Sequence, residues 1–399
     1  MSEVTLGVSN TTPLLSGWYD PALVDPRGLR TTEIKGVWRW WARAVIGGSL
    51  YDECMLVGES EGGIVRRPSR DEASLINCLV GKILGLGYAG SEGSESSRFT
   101  LTVEATMLPR VERIGGIARG YQRLMLLALG RRNRNINYIL PGAKFRVIVR
   151  RTRREYDDAE NLALKILVLA LQLTGLGKGA RRGLGSLDIM SLQSVGVSIP
   201  RGLRELVDDV YESTLEIVRR YVNKCRGHVI GSCKKRALPP LPVMSKSSYE
   251  GSDVASIYIV QGPGGARVFQ DVHNFFVRTT RCRVLPCGAG YEDLLRRERH
   301  AWILGLPRSQ KGTGYMSFVD RRASPIMVSY HSERNVFGPG VFMTFTMSGD
   351  WPRELRWVGA ERRTISLDEQ RIVEATRAAF QEFSDYVRAL GYSLVRVWP

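Results

Sequence analysis

An α+β chain made of two ferredoxin-like halves with inserted helices and loops follows from three observations. Strand-like alternation recurs at residues 4–16, 99–107, 144–152 and 186–195. Helical periodicity falls between those strands, at residues 29–48 and 157–173. A second set of strands and helices can be read in the same order between residues 255 and 398. Strand–helix–strand–strand–helix–strand is the ferredoxin-like order, used also by RNA-recognition domains. The boundary is placed near residue 200, giving domains 1–198 and 199–399; the repetition is architectural and not an alignable repeat.

In the first half, residues 17–28 form a loop carrying Asp20-Pro21 and Asp25-Pro26, leading into the helix 29–48. Thr31 or Thr32 can cap that helix, Glu33 suits its positive end, and Gly47-Gly48 can end it. At about 100° per residue, Lys35, Arg39 and Arg43 share one face. Val37, Trp38, Trp41, Ala44 and Val45 fall opposite, and Trp40 lies near the seam. Residues 57–97 are rich in Gly, Ser and Glu, with a short helix at 71–84 and a mobile stretch at 90–97. An inserted helix is read at 120–129, followed by the basic run Arg131-Arg132-Asn133-Arg134. Asp157 or Asp158 caps the helix 157–173.

In the second half a helix spans 203–224, and a Pro-rich joint follows at 238–242. Strands are expected at 255–260, 325–330, 341–346 and 392–398. Residues 268–279 suit a helix despite their β-branched and aromatic content. Residues 366–389 are amphipathic, with Ser366 and Glu369 placed as a capping box.

Charge narrows the function. The 399 residues carry a formal net charge of +17, and 47 of the 57 basic residues are arginine. Arg pairs bidentately with phosphate and stacks on bases, so a large polyanion such as RNA or DNA is the expected partner. No apolar run approaches the roughly 18–20 residues that span a bilayer. The N-terminus lacks a signal pattern, and six scattered cysteines do not suggest a secreted disulfide framework. An intracellular, cytoplasmic protein with no membrane partner is expected.

Two stretches carry candidate chemistry. The Lys35, Arg39 and Arg43 stripe, edged by Trp40, suits a single strand, which offers phosphates to cations and bases to a flat ring. The same stripe would serve as a plain solvated face, and a Trp-rich basic helix can lie on an anionic membrane. The aromatic face, however, is wanted by a domain core. The second stretch is Gly175-Leu-Gly-Lys-Gly-Ala-Arg-Arg-Gly-Leu-Gly185. Its glycines let backbone amides face phosphate oxygens, and Lys178, Arg181 and Arg182 add charge. It is neither a Walker loop nor a dinucleotide fingerprint, because it lacks Gly-Lys-Ser/Thr and follows a helix. A glycine-rich linker is the plainer alternative.

The segment Glu33-Ile-Lys-Gly-Val-Trp-Arg-Trp-Trp-Ala-Arg43, the 175–185 loop and Leu304-Gly-Leu-Pro-Arg-Ser309 together resemble the RAMP superfamily of CRISPR ribonucleoproteins. Within it they are most similar to the subunit that heads the type III-B Cmr complex. Arg321-Arg322-Ala-Ser-Pro325 also fits the second half of such subunits. The resemblance implies two ferredoxin-like domains and a seat near the 3′ end of a guide RNA, where target RNA is captured. It implies guide RNA, target RNA and other Cmr subunits as partners, with a role in antiviral defence. Cleavage would belong to other subunits, leaving this chain without catalytic residues, cofactor or metal. The RNA-binding residues it implies are Lys35, Arg39, Arg43, Lys178, Arg181, Arg182, Arg308, Lys311, Arg321 and Arg322; the helix reading adds Trp40 as a stacking edge.

An enzymatic reading stands beside this one. RAMP endonucleases often use His, but His228, His273, His300 and His331 all lie in the second half. A metal-dependent endoribonuclease would instead use Asp20 or Asp25, although aspartates before proline commonly form turns. Cys225, His228 and Cys233, with Cys282 and Cys287, have loose zinc-like spacing and no Cys-x2-Cys pair, so ordinary thiols are expected.

Overall fold

The computed structural model describes residues 2–20, 22–90, 93–114, 120–121, 123–124, 136–225, 237–277, 294–306, 308–310, 313–319, 321–359 and 362–399. Among the described residues, the eight strands of the two main sheets and the six longer helices are numbered in chain order. In the first half these are β1 (Glu3–Asn10), α1 (Thr31–Asp52), α2 (Arg70–Cys78), β2 (Phe99–Ala105), β3 (Lys144–Arg151), α3 (Asp157–Leu173) and β4 (Leu187–Val195). Helix α4 (Leu203–Tyr221) follows. The second half holds β5 (Ala255–Gln261), α5 (Ala266–Val277), β6 (Ile326–His331), β7 (Gly340–Thr346), α6 (Glu369–Ala389) and β8 (Ser393–Trp398).

The first sheet runs β2-β3-β1-β4 and the second β6-β7-β5-β8, with every pair antiparallel. Numbered within its own half, each sheet therefore has the order 2-3-1-4. Register keeps apolar residues together: Val4 pairs with Val149, Leu6 with Val147 and Val8 with Phe145, all buried. Alternation along β1 and β3 thus turns one face of the sheet inward, as the period of two requires. A further four-stranded antiparallel sheet is formed by Arg308–Gln310, Thr313–Met316, Glu354–Val358 and Arg363–Ser366.

Helix α3 lies at the centre of the molecule. It touches β4 of the first sheet, β6 and β7 of the second, and helices α1 and α4. Leu162, Leu164, Ile166, Leu167, Val168 and Leu169 are all buried, and only the narrow face of Asp157, Asp158, Asn161 and Lys165 reaches water. At its first turn, buried Glu160 pairs with Arg98 at 2.6 Å and with Arg151 at 3.0 Å. The other acids of that turn are engaged elsewhere, Asp157 with Arg151 and Asp158 with Arg220. Tyr156 is the N-cap residue, without a side-chain cap, so neither aspartate caps the helix as expected.

Helix ends differ from expectation in other places too. Helix α1 begins at Thr31 with Arg30 at the cap position, so neither Thr31 nor Thr32 caps it. It passes through Gly47-Gly48 and ends at Asp52. Those glycines make room and do not stop the helix: a Cβ on Gly48 would sit 1.7 Å from the Met244 carbonyl oxygen. The Met244 amide donates to the Ala44 carbonyl at 2.9 Å, holding the two backbones that close. Helix α6 is capped by Asp368, whose carboxylate accepts from the Arg371 amide at 2.8 Å. Ser366 ends a strand, and Glu369 pairs with Arg66 and accepts from Tyr249, so the expected box is absent. The expected helix at 71–84 is α2 continued by a π-helical turn, Leu79–Ile83. Within the stretch read as mobile, Gly93–Glu95 pairs with Tyr88–Gly90 as a short hairpin. The inserted helix at 120–129 and the run 131–134 lie largely or wholly outside the described residues.

The cysteines depart most from their reading. Cys78, at the end of α2, and Cys225, in the turn after α4, form a disulfide across 147 residues. Cys54 is disulfide-bonded as well. Cys225 is therefore not a zinc ligand, and these are not ordinary thiols. His228, Cys233, Cys282 and Cys287 lie outside the described residues. The bond also ties α4 to the first half, where α4 packs on α1 and α3.

Candidate nucleic-acid interface

Helix α1 is held by its tryptophans. Trp38 Nε1 donates to the Ala163 carbonyl at 2.7 Å, and Trp41 Nε1 donates to Thr174 Oγ1 at 2.8 Å. Both rings are buried with their one polar atom satisfied. Fixing that face turns the Lys35, Arg39 and Arg43 stripe outward. Lys35 is half-buried and Arg43 exposed, and neither has a hydrogen-bond or ion-pair partner among the described residues. Arg39 is different, since Nε and Nη2 both donate to the Leu86 carbonyl, at 3.1 and 2.6 Å. The stripe is one anchored cation between two open ones.

Trp40 is half-buried and covered by Arg181, whose guanidinium carbon lies 4.6 Å from the ring centroid. Arg181 also donates to the Ser324 carbonyl at 2.8 Å. Burial, and then the nearby Arg322, pushes its pKa down to about 10, which leaves it charged at neutral pH. Arg182 donates to the Ile326 carbonyl at 3.2 Å and the Leu304 carbonyl at 2.6 Å. Both loop arginines therefore reach from the first half into the second.

The loop that carries them is closed on itself. The amides of Leu176, Arg182, Gly183 and Leu184 donate to carbonyls within the loop, and those of Lys178 and Gly185 to Leu15 and Pro13. Those six amides are therefore not available to a phosphate. Gly183 shows why glycine is needed: its φ is +78°, and a Cβ there would lie 2.3 Å from the Phe269 ring. Gly183 alone of the five meets the second half; Gly175, Gly179 and Gly185 let the loop close on its own atoms, and Gly177 lies against the Leu15 carbonyl.

Polar contacts continue along the same junction. Thr11 donates to the Tyr330 carbonyl at 2.6 Å, the Ile189 amide donates to Asn335 at 3.0 Å, and Asn335 donates to Gln172 at 2.8 Å. His273 is buried there. Its Nε2 accepts from the Arg123 amide at 3.3 Å, so Nδ1 carries the proton and donates to the Arg182 carbonyl at 2.7 Å. Burial pushes its pKa down to about 4, holding it neutral. His331 is buried against Gln172 and Ser329, and burial also lowers the half-buried His300. His273 and His331 are thus closed off from a substrate; His228 lies outside the described residues.

Arg322 is buried, pairs with Asp350 at 2.5 Å and stacks 4.2 Å from the Trp351 centroid. Arg321 beside it is exposed, and its charge, after burial, lowers the pKa of Arg123. Arg308 begins a short strand, nothing is described of its side chain, and Lys311 lies outside the described residues. Lys178 is half-buried beside Leu15. Of the loop aspartates, Asp20 accepts from the Ala22 amide at 2.7 Å. Asp25 is buried, accepts from the Arg27 amide at 2.9 Å and lies 3.8 Å from Arg30. Both make the turns that aspartates commonly make. No group of three His, Cys, Asp or Glu able to hold a metal occurs among the described residues.

Sequence reasoning missed Arg30, which donates to the Gly17 carbonyl at 2.8 Å, and the exposed neighbours Trp18 and Tyr19. The aromatic pair was visible in the sequence, but only the fold sets it beside the first turn of α1.

Residues 29–188, which hold α1, α3 and the glycine loop, match the family model of the RAMP superfamily. That match agrees with the resemblance the sequence motifs carry. In particular the chain is 24% identical over 311 residues to CRISPR system Cmr subunit Cmr1-1 of Pyrococcus furiosus, covering 75% of each chain. Its fold is similar to the crystal structure of Cmr1 from Pyrococcus furiosus in the apo form, at a TM-score of 0.53 and 17% identity, covering 100% of this chain and 99% of that one. It is also similar to a chain of the cryo-EM structure of the type III-B Cmr-beta bound to cognate target RNA. There the TM-score is 0.60 and the identity 12%, covering 97% of this chain and 99% of that one. No helix among the described residues is long and apolar enough to cross a membrane.

Proposed function

We propose that this chain is a non-catalytic, RNA-binding subunit of a type III-B CRISPR effector ribonucleoprotein, acting inside the cell in antiviral defence. It has two ferredoxin-like domains, 1–198 and 199–399, with α4 lent to the first. Its seat is near the guide RNA 3′ end, where target RNA is captured, and its partners are guide RNA, target RNA and other Cmr subunits. One observation supports this most: among the described residues Lys35 and Arg43 have no partner, on a helix whose opposite face is locked into the core. Similarity along three-quarters of the chain to a Cmr subunit supports the same reading. Lys35, Arg43, Lys178 and Arg321 are the cations that face RNA, with Arg308 and Lys311 assigned to the same role. Arg39, Trp40, Arg181, Arg182 and Arg322 hold that surface in place. The endoribonuclease alternative finds Asp25 buried and Asp20 capping its own turn, and is not favoured.

The test is the salt dependence of single-stranded RNA binding by the full chain. Lys35→Ala/Arg43→Ala should shallow the log–log slope by about 0.7 per lost phosphate contact, so about 1.4 in all. An unchanged slope would make these residues a solvated face. Metal-dependent cleavage abolished by Asp20→Ala, with binding retained, would revive the enzymatic reading.

A further inference from the structure

The loop between β1 and α1, residues 11–30, is fixed at several points. Leu14 bridges to Ile139, Leu15 to Gly177 and Gly17 to Val24. Ser16 Oγ and the Gly17 amide donate to Glu33 at 2.9 and 3.1 Å, fastening the loop to the first turn of α1. Immediately beyond these anchors the chain presents Trp18 and Tyr19, with ring centroids 5.9 Å apart and edge to face. Tyr19 is 82% exposed and Trp18 37% exposed. Two adjacent aromatic rings facing water on an anchored loop are not explained by the core.

Their surroundings are cationic. Arg30 holds the Gly17 carbonyl next to Trp18 with its side chain still 39% exposed. Arg27 is exposed, and Lys35 lies about one turn further along α1. The Lys178 amide binds the Leu15 carbonyl, which brings the glycine loop to the same corner. Two of the three nearby acids are engaged inside the fold, since Asp25 is buried and Glu33 binds the loop. Asp20 accepts from the Ala22 amide. Arg30 shares its charge with Asp25 at 3.8 Å, whereas Arg27 and Lys35 have no ion pair among the described residues. Flat rings beside such cations match a single strand, in which each nucleotide offers a π-face and a phosphate together. A protein interface would instead want a contiguous apolar centre with charge kept to its rim.

We propose that Trp18 and Tyr19 form a stacking platform for an unpaired base of single-stranded RNA whose phosphates lie on Arg27, Arg30 and Lys35. The inference rests on the RNA-binding reading above and adds to it the base contact that the α1 stripe lacks, because Trp40 is already covered by Arg181. Stacking is indifferent to base identity, so the platform grips any sequence. It fails only where a base is missing.

The full chain is titrated with fluorescein-labelled single-stranded RNA, intact or with abasic sites, at several salt concentrations. Trp18→Ala/Tyr19→Ala should weaken binding of intact RNA by about tenfold or more, with an unchanged salt slope because no phosphate contact is lost. Trp18→Phe/Tyr19→Phe should restore most of the affinity. Abasic RNA should bind wild type about as weakly as intact RNA binds the alanine variant. Should that variant fail to fold, intact against abasic RNA on wild type decides the question. Equal affinity of wild type for intact and abasic RNA would overturn the platform while leaving salt-dependent RNA binding standing. Absence of RNA binding by wild type at every salt concentration would remove both readings.

Discussion

Two arginine-rich stretches of this chain look alike as sequence and behave differently in the fold. On α1, Lys35 and Arg43 have no partner among the described residues. In the glycine loop, Arg181 and Arg182 donate to the carbonyls of Ser324, Ile326 and Leu304 in the other half. The difference lies in what surrounds each. A helix locked down by buried Trp38 and Trp41 must turn its polar face to solvent. A loop pressed against the second half must instead find acceptors for the arginines it turns inward, because an unpaired buried charge is too costly. Basic residues therefore stand open to solvent in the first case and hold a junction in the second.

The largest effect should come from removing the junction. Arg181→Ala/Arg182→Ala deletes three charge-assisted hydrogen bonds and uncovers Trp40, and should cost about 3–5 kcal/mol in urea unfolding. A loss below about 1 kcal/mol together with a large drop in RNA affinity would reverse the comparison and make the loop a ligand surface.

Acid should act on the same junction with a somewhat smaller effect. His273 is neutral in the fold because burial pushes its pKa down to about 4, against an ordinary value near 6.5. A depressed folded pKa means that the unfolded chain binds the proton more readily. The contribution of His273 is then fully present above about pH 6.5 and is lost as pH falls toward about 4, on the order of 3 kcal/mol in all. Urea midpoints across this range should flatten in His273→Gln. An equal slope in both proteins would assign the acid sensitivity to other groups.

The smallest effect sharpens the other side. Lys35→Ala/Arg43→Ala should leave unfolding free energy within about 0.5 kcal/mol of wild type, because neither side chain has a partner to lose among the described residues. A larger destabilisation would show that the stripe has a structural share.

The contrast also separates what was legible in advance. The strands at 144–152 and 186–195 and the helix at 157–173 were set by their own periodicity, because alternation and 3.6-residue spacing are local properties. So was the division of α1 into a tryptophan face and a cationic face. The motif at 33–43 identified a RAMP-like region that the family comparison also finds. Helix ends were less legible. Thr31, Ser366 and Gly47-Gly48 all carry end signals, yet Asp368 caps α6 and Met244 occupies the space that Gly48 leaves.

By itself, the sequence determined the order of strands and helices, the basic character and the two stretches that matter. Only the tertiary structure decided which cations remain open. It sent Arg181 and Arg182 to carbonyls more than a hundred residues away, joined Cys78 to Cys225, and placed Trp18 and Tyr19 beside α1. The physical reason is range. Periodicity and turn chemistry act between residues a few places apart, whereas the partner of a charge, a thiol or an aromatic ring is whatever the folded chain brings within a few ångströms.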